Sequence, residues 1–259
     1  MREALYAERG GAGAPLLVLL HGLGANATVW DGLLPILRDR WPGRWIAPDF
    51  RGHGRSSHVA PYGYGTHAAD VAALLDAGDD VVILAHSMGG VVALALATQW
   101  FGVRVRAVAA FAVKPDFDAE GIARIRAVGS AGYRWFDTRD AAIERQIAVA
   151  GLRGLVAPGD PRAATGIAEK DGKFRIAMDP LANLVLGPAL TDVLAAAQAP
   201  VRFGAGDRDP LVTVGALRAV DPAAYVFPGC GHNVHVEDPL ALWKFAEPMF
   251  AGGPSGAAS

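Results

Sequence analysis

Val81-Val82-Ile83-Leu84-Ala85-His86-Ser87-Met88-Gly89-Gly90 is the stretch whose reading decides the fold. Four consecutive aliphatic residues suit a strand buried on both faces, and the apolar run 91–100 behind them has helical character. Strand, sharp turn and helix therefore meet at Ser87. A serine at such a turn holds its hydroxyl above the sheet edge, and the small residues around it let strand and helix approach closely. The usual pattern of this turn is G-x-S-x-G, with Ala85 taking the first small position here. The helix start also aims backbone N–H groups and the positive end of its dipole at an oxyanion forming beside Ser87. The reading without chemistry is that Ser87 is simply a helix N-cap.

Outward from this turn, short Val-, Leu- and Ile-rich runs alternate with longer helical segments, the pattern of a mostly parallel sheet with helices on both faces. Strands are expected at Leu16–Leu20 and at residues 44–47, 81–85, 106–112, 201–205 and 224–227. Helices are expected near 28–39, 66–77, 88–100 and 213–220, and at Pro239–Phe250. From 114 to 198 the alternation lapses into Gly, Pro, Arg and scattered aromatics, too long a stretch for a structureless loop. Residues 1–113 and 199–259 are thus read as an α/β core, and 114–198 as an inserted, mainly helical cap subdomain. The small-residue tail 251–259 is expected to fray.

A chain of 259 residues at 52% hydrophobic composition can bury one substantial core. Its net charge of −2 is spread without a basic block, which excludes a footprint for nucleic acid or anionic lipid. One cysteine, Cys230, rules out an internal disulfide framework and a multi-cysteine zinc site. No apolar run approaches the roughly 20 residues that span a bilayer, and Met1-Arg2-Glu3-Ala4 lacks the start of a signal peptide. The expectation is a cytoplasmic protein with a small-molecule substrate; nothing in the chain indicates its oligomeric state.

His21-Gly22-Leu23-Gly24 directly follows the strand Leu16–Leu20, which puts it at the same sheet edge as Ser87. There the N–H of Leu23 can pair with that of Met88 as an oxyanion hole. The next strand ends in Asp49-Phe50-Arg51-Gly52-His53-Gly54-Arg55-Ser56. With H-G-x-G, D-x-R-G-x-G-x-S and the serine turn in this order, the sequence resembles the α/β-hydrolase family. The resemblance implies that Asp49 and Arg51 tie a loop beside the site and take no chemical step.

Near the end stands Gly229-Cys230-Gly231-His232-Asn233, a glycine-flanked loop that can set an imidazole against Ser87. Neutral imidazole can take the serine proton and return it to a leaving group. The resemblance marks His232 as the base, since Gly231-His232 is followed by Glu237-Asp238-Pro239. A competing reading makes His232, His235 and Glu237 metal ligands, but no further His or Cys cluster accompanies them. Cys230 reads as a small buried residue rather than a reactive thiol. After the strand 201–205, Asp207 and Asp209 both stand where an acid orienting the histidine belongs. The family pattern G-x-x-D-P-x-V falls on Gly206, Asp209, Pro210 and Val212 and so prefers Asp209.

Ser87, Asp209 and His232 then form an acyl-transfer triad that needs neither cofactor nor metal. The implied activity is hydrolysis of carboxylic esters or lactones of small to medium molecules. Carbon–carbon bond hydrolysis of diketone-like substrates is the alternative, although Asn233 stands where such relatives carry tryptophan. A non-catalytic ligand receptor on the same scaffold is the reading from another class. Arg124, Arg126 and Arg134 of the insert are candidates to meet a substrate carboxylate.

Overall fold

The computed structural model describes residues 5–251. The readings made of residues 1–4 and of the tail beyond Ala251 lie outside the described residues. The strands are β1 (Ala7–Gly10), β2 (Leu16–Leu20), β3 (Arg44–Pro48), β4 (Val81–His86), β5 (Val105–Phe111), β6 (Ile167–Lys170), β7 (Lys173–Ile176), β8 (Val201–Gly206) and β9 (Tyr225–Phe227). The helices are α1 (Leu34–Arg40), α2 (Tyr64–Ala72), α3 (Met88–Ala97), α4 (Ala119–Ser130), α5 (Arg139–Val149), α6 (Pro161–Ala164), α7 (Leu190–Ala196), α8 (Val214–Arg218), α9 (Val234–Glu237) and α10 (Pro239–Phe250).

Seven strands form one sheet in the order β1-β3-β2-β4-β5-β8-β9. Only β1 runs antiparallel to its neighbour; the remaining pairings are parallel. The aliphatic runs seat residues on both faces with period two. Leu17 and Leu19 of β2 and Val82 and Leu84 of β4 enter one core, with Trp30, Trp243 and Phe245. Leu16, Val18 and Leu20, with Val81, Ile83 and Ala85, enter the other beneath α3. Chain order runs outward from β2 to β3, then returns past β2 to β4 and on through β5, β8 and β9. That reversal opens a crevice at the carboxyl ends of β2 and β4.

The helix expected over 28–39 is divided into a 3-10 turn, Ala27–Trp30, and α1. Pro35 sits in the first turn of α1, where its fixed φ is tolerated, and so marks a second helix start. β1 was not expected: Ala7-Glu8-Arg9-Gly10 has no apolar alternation because it is a half-exposed edge strand. Between β5 and β8, helices α4 to α7 are accompanied by the antiparallel hairpin β6–β7. Its turn residues Asp171 and Gly172 both have positive φ, 52° and 72°, as a type I′ turn demands.

Candidate active site

Ser87 holds φ 50° and ψ −117°, a conformation that costs a non-glycine residue about 1–3 kcal/mol. The packing around it over-determines that backbone. Ser87 N–H donates to Phe111 O at 2.9 Å, and Gly90 N–H to Ser87 O at 2.8 Å. A Cβ at Gly89 would lie 2.5 Å from Leu20 O, so only glycine lets α3 press its first turn onto the end of β2. Ser87 stands at the N-cap position of α3, yet its side chain makes no capping hydrogen bond. The left-handed φ turns the hydroxyl away from the helix it precedes, and the N-cap reading does not describe its side chain.

His232 Nδ1 lies 2.8 Å from Asp209 Oδ2. The other carboxylate oxygen, Oδ1, accepts from Leu211 N–H at 2.7 Å and Val212 N–H at 3.0 Å, so the backbone holds the carboxylate while one oxygen faces the imidazole. Asp207 instead accepts from Gly229 N–H at 2.8 Å and does not reach His232. The histidine loop is clamped from below. Glu237 accepts from Gly231 N–H at 2.7 Å and from Asn233 N–H at 3.0 Å, one oxygen on each side of His232. His86 Nε2 lies 3.0 Å from His232 O, and a carbonyl can only accept, so Nε2 carries the proton. Burial lowers the His86 pKa well below its ordinary value and keeps the ring neutral.

Ser87 and His232 line a common cavity of about 300 Å³ together with Leu23 and Met88. Met88 N–H is the first free donor of α3, and Leu23 N–H has no backbone partner among the described residues. The cavity is otherwise walled mainly by apolar side chains, including Val91, Phe117, Ile125, Val149 and Val185. A hydroxyl, a carboxylate-backed imidazole and two unspent N–H groups beside one apolar cavity form a set competent for nucleophilic acyl transfer.

The segment 114–198 touches both the loop of Leu23 and the loop of His232. Gln146 of α5 donates to Gly24 O at 2.7 Å, beside Leu23. Asn233, buried next to His232, donates to Gly151 O at 2.9 Å and to Ala150 O at 3.4 Å. Among these positioning residues only Glu237 belongs to a motif visible in the sequence. His86, Gln146 and Asn233 act through contacts across 146, 122 and 82–83 residues of chain, which no local pattern announces.

The remaining candidates have structural work. Asp49 is fully buried and accepts from Ala27 N–H at 2.7 Å and Arg55 N–H at 2.8 Å, and Arg51 pairs with Asp70 through two contacts of 2.7 and 2.6 Å. His21 Nε2 accepts from Phe50 N–H at 3.0 Å, so Nδ1 carries the proton and donates to Gly22 O at 2.7 Å. His235 packs between Trp30 and His86, with ring centroids 4.9 and 4.5 Å away, and burial drives its pKa down to about 3. With Glu237 taken by two N–H groups and His235 in the core, the His232–His235–Glu237 metal reading has no geometry. Among the described residues no three such side chains converge on a metal position. Cys230 is a buried free thiol whose pKa burial raises. Arg124, Arg126 and Arg134 are exposed and none lines the cavity. No helix of the described residues is long and apolar enough to cross a membrane.

The chain matches a family model described as the alpha/beta hydrolase family over residues 17–244. A 2-(acetamidomethylene)succinate hydrolase of Mesorhizobium japonicum is 29% identical over 266 residues, covering 94% of this chain and 90% of that protein. A crystal structure of an E-2-(acetamidomethylene)succinate hydrolase is similar with a TM-score of 0.78 at 26% identity, covering 95% of each chain. A pimeloyl-[acyl-carrier protein] methyl ester esterase of Neisseria meningitidis is 43% identical over 81 residues, 31% of this chain and 30% of that one. The chain spans 16–36% of the length of the relatives it matches only locally.

Proposed function

The chain belongs to the α/β-hydrolase family, and from that premise we propose that it is a serine hydrolase of carboxylic esters or lactones working through an acyl-enzyme on Ser87. The observation that carries this reading is the 2.8 Å contact of His232 with Asp209 at the rim of the cavity that holds the strained Ser87. Ser87 Oγ attacks the carbonyl carbon while His232 Nε2 takes its proton. The tetrahedral oxyanion is held by the N–H groups of Leu23 and Met88. Collapse expels the alcohol, which leaves with the proton from His232. A water then attacks the acyl carbon, giving its proton to His232, and the acid departs as Ser87 regains its hydrogen. Asp209 orients the imidazole and stabilises it while charged, without taking the proton.

Asn233 also favours ester over carbon–carbon cleavage. In the position where the alternative reading wants an aromatic wall, its amide is committed to the insert backbone. The test is labelling with an uncharged fluorophosphonate, followed by a turnover screen of esters, lactones and β-diketones of graded acyl length. The expected adduct sits on Ser87 and vanishes in Ser87→Ala together with ester turnover. An adduct elsewhere, or full turnover in Ser87→Ala, would falsify the assignment. Chelator is expected to leave kcat/KM unchanged.

A further inference from the structure

Lys114 follows β5 immediately, after Ala112 in the left-handed region at φ 54° and after Val113, which is fully buried. Val113 Cγ2 occupies the space that a Cβ on Gly90 would enter, at 2.3 Å, so the chain carrying Lys114 is locked against α3. The lysine side chain lines the Ser87 cavity and also an adjoining cavity of about 240 Å³; Tyr64, Val91 and Phe117 are shared in the same way. These residues mark the junction of the two spaces.

Lys114 is the one lysine or arginine among the residues lining the Ser87 cavity, and no aspartate or glutamate lines it. Its Nζ lies 5.1 Å over the Phe117 ring, which orients the ammonium without neutralising it. Three other cations of the insert are paired or stacked elsewhere: Arg124 with Glu120, Lys173 with Asp137, Arg175 over Tyr133. Among the described residues Lys114 has no carboxylate in an ion pair with it, and Asp116 lines the adjoining cavity but not that of Ser87. Tyr64 adds a phenol that burial keeps protonated, hence a donor, with its ring packed beside Gly187. Asn183 also lines the cavity, with one of its two amide N–H groups spent on Pro180 O at 2.8 Å.

We infer that Lys114 and Tyr64 form an anion subsite at this junction and that the esters turned over carry a carboxylate removed from the scissile bond by an apolar spacer. The inference rests on the acyl-transfer reading of Ser87. It gives the apolar cavity a polar terminus: the spacer fills the cavity, the ammonium and phenol take the carboxylate, and the carbonyl meets Ser87. A charge-assisted hydrogen bond supplies enough energy for roughly a tenfold preference or more over a neutral isostere. Because Lys114 is exposed, that preference declines with added salt.

The experiment compares 4-nitrophenyl monoesters of succinate, glutarate and adipate with neutral isosteres in which an isopropyl group replaces the free carboxylate. The expected result is a ratio of kcat/KM of about tenfold or more for at least one spacer length, carried mainly by KM and shrinking with ionic strength. Lys114→Met brings the ratio toward one and Lys114→Glu inverts it. A ratio at or below one for every length, or a ratio unchanged in Lys114→Met, overturns the subsite. If Ser87 is labelled by the phosphonate and no carboxylate preference appears, this inference alone falls. If no ester is hydrolysed and Ser87 is not labelled, the acyl-transfer reading falls and this one with it.

Discussion

The imidazole Nε2 of His86 and the main-chain oxygen of His232 lie 3.0 Å apart although 146 residues separate them in the chain. The residue before the proposed nucleophile therefore holds the backbone of the residue proposed as its base. The His86 ring is itself fixed, stacked 5.0 Å from Phe111 at an interplanar angle of 27°. Losing this strut lets the histidine loop drift, and a displacement near 1 Å costs about 100-fold in rate. His86→Ala is expected to lower kcat by about 10- to 100-fold with KM nearly unchanged. His86→Gln, which keeps a donor at similar reach, recovers part of the loss. Matching the two variants in kcat would remove the strut role from His86.

The two aspartates after β8 separate by the same logic. Asp209 bonds to the imidazole and Asp207 to a loop N–H, so Asp209→Asn should lower kcat by about 10⁴, the scale known for serine proteases, and Asp207→Asn should change it little. Steady-state kinetics of both variants on one aryl ester decide the point. A larger loss in Asp207→Asn would reverse the assignment.

Mild acid is expected to destabilise the fold through its buried histidines. Burial lowers the pKa of His21, His53, His86, His67 and His235, the last two to about 4 and about 3. Unfolded, these rings titrate near 6.5, so below about pH 6.5 the unfolded chain binds protons that the folded chain refuses. Stability is therefore fully present above about pH 6.5 and falls as pH drops toward the depressed folded values. Each such histidine contributes about 1.4 kcal/mol per pH unit in that window. Urea midpoints should fall from about pH 7 to pH 5, and His67→Gln should flatten the slope by about one proton. Equal midpoints across that range would contradict the titration.

The latch between Asn233 and the insert predicts a local effect. Asn233→Ala removes the donor to Gly151 O and Ala150 O, worth about 1 kcal/mol per bond made. Amide exchange of residues 146–152 should quicken by roughly tenfold or more while β2 and β4 stay protected. Uniform acceleration across the sheet, or none at all, would mean the contact does not hold the insert in place.

The core and the sheet edge that gathers the candidate site were legible because each rests on local pattern. Aliphatic runs are buried strands, and the residues at their carboxyl ends must share an edge, so Leu23, Met88, Ser87, Asp209 and His232 could be named together. The choice between Asp207 and Asp209 needed family pattern, since both follow the same strand and only backbone geometry tells them apart. The insert resisted for another reason. Its contacts are long-range, and α4 buries only Gly129 although it carries Ile122, Ile125 and Val128. One signal there was missed, the Asp171-Gly172 pair between Lys170 and Lys173, a sequence cue for the type I′ hairpin. The arginines singled out in the insert point to solvent, whereas Lys114, at the first residue of that segment, lines the site because β5 positions it.

The insert leaves the sheet after β5 and returns through α7 into β8, the strand paired beside β5. A parallel crossover requires only one helix, and α7 meets that need unaided. The stretch from α4 to β7 therefore does more than connect: Ile143, Ile147, Leu152 and Val156 enter the core with Trp30 and Trp243, so any replacement would have to refill that core. It would also have to offer an amide near Gly24 and carbonyls near Asn233, the moorings by which this stretch holds two loops.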